Sequence, residues 1–156
     1  MPKGKATHAQ AQLMLQLYDL RREAKLRQAR EWFLAHYVAP TPEEAQRLAP
    51  PGSQENAYMR MVVSYWDMAC GLLNRGLLDD ELFFETTNEF WFVWERLKPL
   101  APMARKRYGN PDLQKQLERA STRYEKYIRR RAPRFLGALR QFDAALFASR
   151  GGAKPA

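Results

Sequence analysis

Residues 71–97, GLLNRGLLDDELFFETTNEFWFVWERL, constrain this chain more than any other stretch. They join the apolar tail of one segment to a glycine, an acidic pair and a second segment with six aromatic side chains. Gly76 fits the position just past a helix, where a left-handed backbone costs glycine least. Asp79 or Asp80 fits the cap of the next helix, with Glu81 near its positive end. Phe83, Thr87, Phe90, Trp94 and Leu97 recur at helical spacing, so the pattern predicts one helix from Asp79 to Leu97. A connection this short predicts an antiparallel αα-hairpin.

The flanking sequence reads as more helix. Thr7 is a candidate cap for a helix starting near His8. Leu13, Leu17, Leu20 and Ala24 form one stripe, and Leu26, Ala29, Phe33 and Tyr37 a second, out of phase with the first. That mismatch predicts a drifting face or a bend near residues 22–25. Residues 39–52 hold four prolines and read as a surface connection with one helical turn, capped by Thr41 with Pro42 in its first turn. Ser53 restarts a helix to about Asn74 whose apolar residues spread widely enough to be contacted on two sides. A short helix is expected over residues 100–108, closed by Gly109. Asn110-Pro111-Asp112 reads as a helix start. Pro133 breaks that helix, and Phe135, Leu139, Phe142 and Leu146 predict a last amphipathic one.

The expected fold class is therefore all-α: a single-domain bundle of five to six helices around the central hairpin. Residues 1–6 read as a disordered lead, 7–149 as the helical domain and 150–156 as a flexible tail. A chain of 156 residues is one domain by size and large enough for a core without staples. Cys70, the single cysteine, excludes an intramolecular disulfide. No apolar run reaches membrane-span length, and the N-terminus lacks a signal-peptide core, so a cytoplasmic protein is expected.

Charge is unevenly placed. Residues 105–140 hold 12 Lys/Arg against 3 Asp/Glu, which equals the net charge of the whole chain, +9, while the remainder carries 14 of each sign. Residues 79–95 carry six acids and no base. The pattern predicts a basic face on one helix: Lys115, Arg119, Arg123, Lys126 and Arg130 share a side, with Arg129, Arg131 and Arg134 close by. These eight are the candidate contacts for a protein partner or for nucleic acid. The alternatives are a solvated face or one paired with the acidic segment.

No catalytic, metal or cofactor pattern emerges. His8 and His36 stand alone, and Cys70 lies on an expected core helix, far from the electropositive setting a reactive thiol needs. Glu81, Glu85 and Glu89 are four apart, but no Glu-x-x-His accompanies them. An enzyme would need isolated groups such as Asp67, Tyr65 or Arg75 to meet in a pocket. Phe84, Trp91 and Phe92 lie off the main aromatic stripe and must be covered by another helix, a partner or a ligand, which makes them candidate hydrophobic-interface residues.

The segment from NAYMRMVV to RYGNP, with the earlier LYDLRREAKLRQAREWF, resembles a family of small bacterial all-helical proteins known only as a domain of unknown function. The resemblance rests on Tyr65-Trp66-Asp67, the Gly-Leu-Leu-Asp helix join, the Trp-centred second helix and the Arg-x-x-x-Gly-Asn-Pro turn. It implies an all-helical fold and transfers no functional residue. The expected function is a non-enzymatic interaction or structural protein that needs no cofactor and binds a protein partner or a second copy of itself. The alternative is an accessory RNA- or ribosome-associated nucleic-acid binder using residues 112–134.

Overall fold

The computed structural model describes residues 4–149; the expected tail at 150–156 and residues 1–3 of the expected lead lie outside the described residues. Within them the fold is all-α. Nine helices are present: α1 (His8–Arg21), α2 (Ala24–His36), α3 (Pro42–Leu48), α4 (Gln54–Asn74), α5 (Asp80–Thr86), α6 (Glu89–Leu97), α7 (Ala101–Arg107), α8 (Lys115–Arg131) and α9 (Phe135–Ser149). None of the described helices is long and apolar enough to cross a membrane.

Local chemistry sets most of the boundaries. The Thr7 side chain accepts from the Gln10 amide, and the Gln10 side chain accepts from the Thr7 amide, a reciprocal capping box. Glu23 accepts from the Leu26 amide and separates α1 from α2, at the bend that the two out-of-phase stripes predict. Thr41, Ser53 and Asp79 cap α3, α4 and α5 in the same way. Gly76, at φ 75°, ends α4: its amide donates to the Leu73 carbonyl and that of Leu77 to Leu72.

The five-to-six-helix bundle around a central hairpin is not what forms. The expected helix from Asp79 to Leu97 breaks at Thr87 and Asn88, where Thr87 is extended. Two adjacent β-branched threonines and an asparagine favour such an exit over helix continuation. The partners of α4 also differ from the hairpin pattern. It packs most extensively on α2 and α8, which come from distant parts of the chain, and less on α6. Val62, Trp66, Ala69, Cys70 and Leu73 are buried along α4, which is contacted on two sides as its wide apolar face requires.

Two further expectations change. Asn110-Pro111-Asp112 builds a turn, the Asp112 amide donating to the Asn110 side chain, and α8 begins only at Lys115 after a left-handed Gln114. With no cap of its own, the α8 N-terminus is capped from α4: the Asp67 carboxylate accepts from the Leu117 amide at 3.0 Å. In α9 the buried residues are Leu136 and Leu139, whereas Phe135 and Phe142 are 40% and 58% exposed. The inward face of α9 also carries Asp143, which reaches a buried arginine, and that contact turns the phenylalanines outward.

That arginine is Arg96, on α6 and only 7% exposed. One guanidinium nitrogen donates to the carbonyls of Phe33 (2.9 Å) and Tyr37 (3.2 Å) at the end of α2. A second donates to Leu34 (3.0 Å) and to Asp143 (2.6 Å). It thereby satisfies carbonyls that a helix end leaves unpaired and ties α2, α6 and α9 together. Arg96→Met is expected to cost about 3 kcal/mol in chemical denaturation, since it strands Asp143 and three carbonyls. Asp143→Asn leaves the carbonyl bonds intact and is expected to cost less.

Asp67 yields a second test. Burial raises its pKa above the ordinary carboxylate value, opposed by hydrogen bonds from the Leu117 and Gln116 amides and by the charge of Arg105. The folded protein therefore holds this proton more tightly than the unfolded chain, and the Asp67 contribution to stability falls as pH rises from its unfolded to its folded pKa. Asp67→Asn keeps an acceptor for Leu117 and is expected to flatten that part of the stability–pH curve. Asp67→Ala removes the cap and is expected to cost about 1 kcal/mol at neutral pH.

Candidate interaction surface

The expected aromatic interface is interior. Phe84, Trp91 and Phe92 are all buried. Phe84 packs on Tyr124 and Tyr127 of α8, with ring centroids 5.5 and 5.3 Å apart. The Trp91 indole donates to Glu125 of α8 at 3.1 Å, and Arg140 of α9 lies over its ring. Phe92 meets Trp91 edge-on. α8 supplies much of the coverage: it receives Phe84 from α5 and Trp91 from α6, on either side of the break at Thr87–Asn88. None of the three is more than 8% exposed, so they offer little direct contact area.

The acidic series is split by the same break. Glu89 turns inward, where it takes two hydrogen bonds from Arg30, at 2.7 and 2.6 Å, and one from the Trp66 indole at 3.1 Å. Asp80, Glu81 and Glu85 remain on α5 and face α8. Arg123 donates to Asp80 at 2.5 Å and to Asn74 at 3.0 Å. Arg131 lies 3.3 Å from Glu81 and 3.5 Å from Glu85, and stacks over Tyr127. The acidic and basic segments thus meet within one chain.

Pairing accounts for only half of the basic candidates. Lys115 reaches Glu118 at 3.0 Å, and Arg129 reaches Glu125 at 2.9 Å, both along α8 itself. The side chains of Arg119, Lys126, Arg130 and Arg134 are exposed and make no ion pair or hydrogen bond among the described residues. Arg119, Lys126 and Arg130 are seven and four residues apart and share a face of α8. The opposite face of α8 is buried through Leu117, Ala120, Ser121, Tyr124 and Ile128. The open cations therefore form a ridge carried on a helix fixed by the core.

The isolated groups considered for catalysis are held apart in structural roles. Tyr65 donates its hydroxyl to the Leu17 carbonyl, and burial pushes its pKa up to about 12. Asp67 caps α8, and Arg75 donates to the Gly71 carbonyl within α4. Burial, reinforced by the charge of Asp67, raises the Cys70 thiol well above its ordinary value, as befits a small core side chain. His8 and His36 are exposed. Among the described residues no group of three or more His, Cys, Asp or Glu is placed to hold a metal ion.

Sequence reasoning passed over Arg96, Glu89 and Glu125 as organising residues. The available signal was composition: Glu89 and Arg96 are charged residues at either end of a helix that is otherwise almost wholly apolar. Glu125 takes Trp91, Arg129 and Arg140 together, a convergence no local pattern reveals.

No curated protein and no solved structure gives a significant match to the chain. A family model does match, over residues 6–124, which takes in α1 to α7 and the first part of α8. Lys126, Arg130, Arg134 and α9 lie past its end. With three quarters of its length covered, the chain belongs to the domain-of-unknown-function family DUF4760.

Proposed function

We propose that this chain is a non-enzymatic interaction domain that engages an acidic partner surface through the open side of α8. The observation that carries this reading is the division of the basic residues. The acids of α5 are spent on Arg123 and Arg131, and Arg119, Lys126, Arg130 and Arg134 have no counter-charge among the described residues. A ridge of unpaired cations on a rigid helix favours association with negative surfaces and speeds encounter with them. Phe84, Trp91 and Phe92 are buried, which favours charge over these aromatics as the basis of recognition.

Nucleic-acid binding through the same ridge is the second reading. It is favoured by spacing: Lys115 and Arg119, then Lys126 and Arg130, stand one turn apart along about 22 Å of helix. Such a line suits a phosphate backbone, with affinity that falls as salt rises. No exposed aromatic on that side of α8 accompanies it for base stacking, which points to sequence-independent contact.

Fluorescence anisotropy separates the two. The protein is titrated against a labelled poly-glutamate peptide and against labelled mixed-sequence RNA and duplex DNA, across a salt series. Preferential binding of the acidic peptide, weakened about tenfold by Lys126→Glu with Arg130→Glu, supports the first reading. Tighter binding of nucleic acid, with a salt slope reduced by about 2 in the double variant, supports the second. Absence of binding to every polyanion at low salt overturns both.

A further inference from the structure

An apolar groove of about 460 Å³ lies between α1, α4 and α5, and no residue of α8 lines it. Ala11, Met14 and Tyr18 of α1 form one wall, and Trp66 and Ala69 of α4 with Phe83 of α5 form the rest. From Ala11 to Arg21 the wall runs about 15 Å along the helix. Leu15 and Tyr18 at its rim are 68% and 50% exposed, so the groove continues into apolar surface that the described residues leave uncovered. Of the α1 residues only Leu17 is fully buried, supported by the Tyr65 hydroxyl on its carbonyl.

Arg21, the last residue of α1, stands at one end of that wall. It is half-buried, with its guanidinium carbon 5.1 Å from the Tyr18 ring centroid and 5.9 Å from that of Trp66. Its side chain makes no ion pair or hydrogen bond among the described residues. Glu89, which also contacts Trp66, is saturated by Arg30 and the Trp66 indole. A half-buried guanidinium with no counter-charge among the described residues favours an anion, and its planar fork suits a carboxylate. An apolar wall that ends in a single guanidinium matches a ligand with one alkyl chain and one anionic head.

We infer that this groove binds a free long-chain monocarboxylate, its acyl chain along α1 and its carboxylate on Arg21. Each methylene that enters the groove should strengthen binding by about fourfold. The charged end supplies orientation and discrimination against uncharged amphiphiles. This site is independent of the α8 ridge, so either can fail without the other.

Isothermal titration of the full chain with decanoate, below its micelle concentration, and with decanol tests the inference. Saturable binding of one decanoate per chain is expected. Arg21→Gln should weaken decanoate at least about tenfold while leaving decanol unchanged, and Arg21→Lys should recover part of the loss. Ala11→Phe, which fills the other end of the groove, should weaken both ligands. Thermal melts of each variant confirm that the fold is intact. The inference is overturned by non-saturable decanoate binding, by equal effects of Arg21→Gln on acid and alcohol, by an unchanged affinity in Ala11→Phe, or by binding confined to phosphatidylglycerol vesicles.

Discussion

The architecture depends on the guanidinium of Arg96. Placed inside α6, it meets the carbonyl end of α2 and the carboxylate of Asp143 on α9 at once. Removing an arginine from water is costly unless its donors are used, and here five hydrogen bonds use them. The same contact fixes where α2 stops and which way α9 turns. Two neighbouring constellations repeat the logic: Glu89 ties α6 to Arg30 of α2 and Trp66 of α4, and Glu125 of α8 meets Trp91 of α6 and Arg140 of α9. α6 is therefore attached to its surroundings by directional bonds as well as by aromatic burial, and those bonds restrict the orientations that non-directional packing would leave open.

Charge in this protein is sorted by location. Most acids of the central segment meet arginines: Glu89 meets Arg30, Glu95 meets Arg140, and Asp80, Glu81 and Glu85 meet α8, while Asp79 caps α5. Arg119, Lys126 and Arg130 then form a positive ridge on α8 without matching acids among the described residues. The net charge of +9 is thus expressed as a local surface property, and the ridge sits on a helix whose other face is clamped by Leu117, Tyr124 and Ile128. Rigid presentation limits the entropy lost when a partner binds. The far end of the ridge and all of α9 extend past the part matched to DUF4760, so residues beyond the match supply Lys126, Arg130 and Arg134 together with the core residues Ile128, Leu136 and Leu139.

The opposite style of surface occurs along α1. That helix has a well-formed cap but little burial, and its last arginine rests on aromatic faces in place of an acid. Weak burial makes such an element the least costly part of the fold to displace. An apolar groove beneath it and a cation at its end make α1 the natural cover for a small amphiphile, whereas α8 is suited to extended, polyanionic contact.

Helix existence and most helix ends were legible in the sequence because their causes are local. Thr7, Thr41, Ser53 and Asp79 satisfy amides within three residues, and Gly76 adopts its left-handed conformation without steric cost. The all-α class and the two-sided burial of α4 followed from apolar spacing alone. Tertiary structure decided the rest, because the deciding partners are remote in the chain. Asp67 caps a helix fifty residues away, so the Asn110-Pro111 signal built a turn and α8 started later. Phe84, Trp91 and Phe92 looked surplus for one continuous helix and are core in the fold, where α8 meets both Phe84 of α5 and Trp91 of α6. Sequence spacing marked the eight basic residues as candidates, but acids of α5 for Arg123 and Arg131, and of α8 itself for Lys115 and Arg129, determined which four remain open among the described residues.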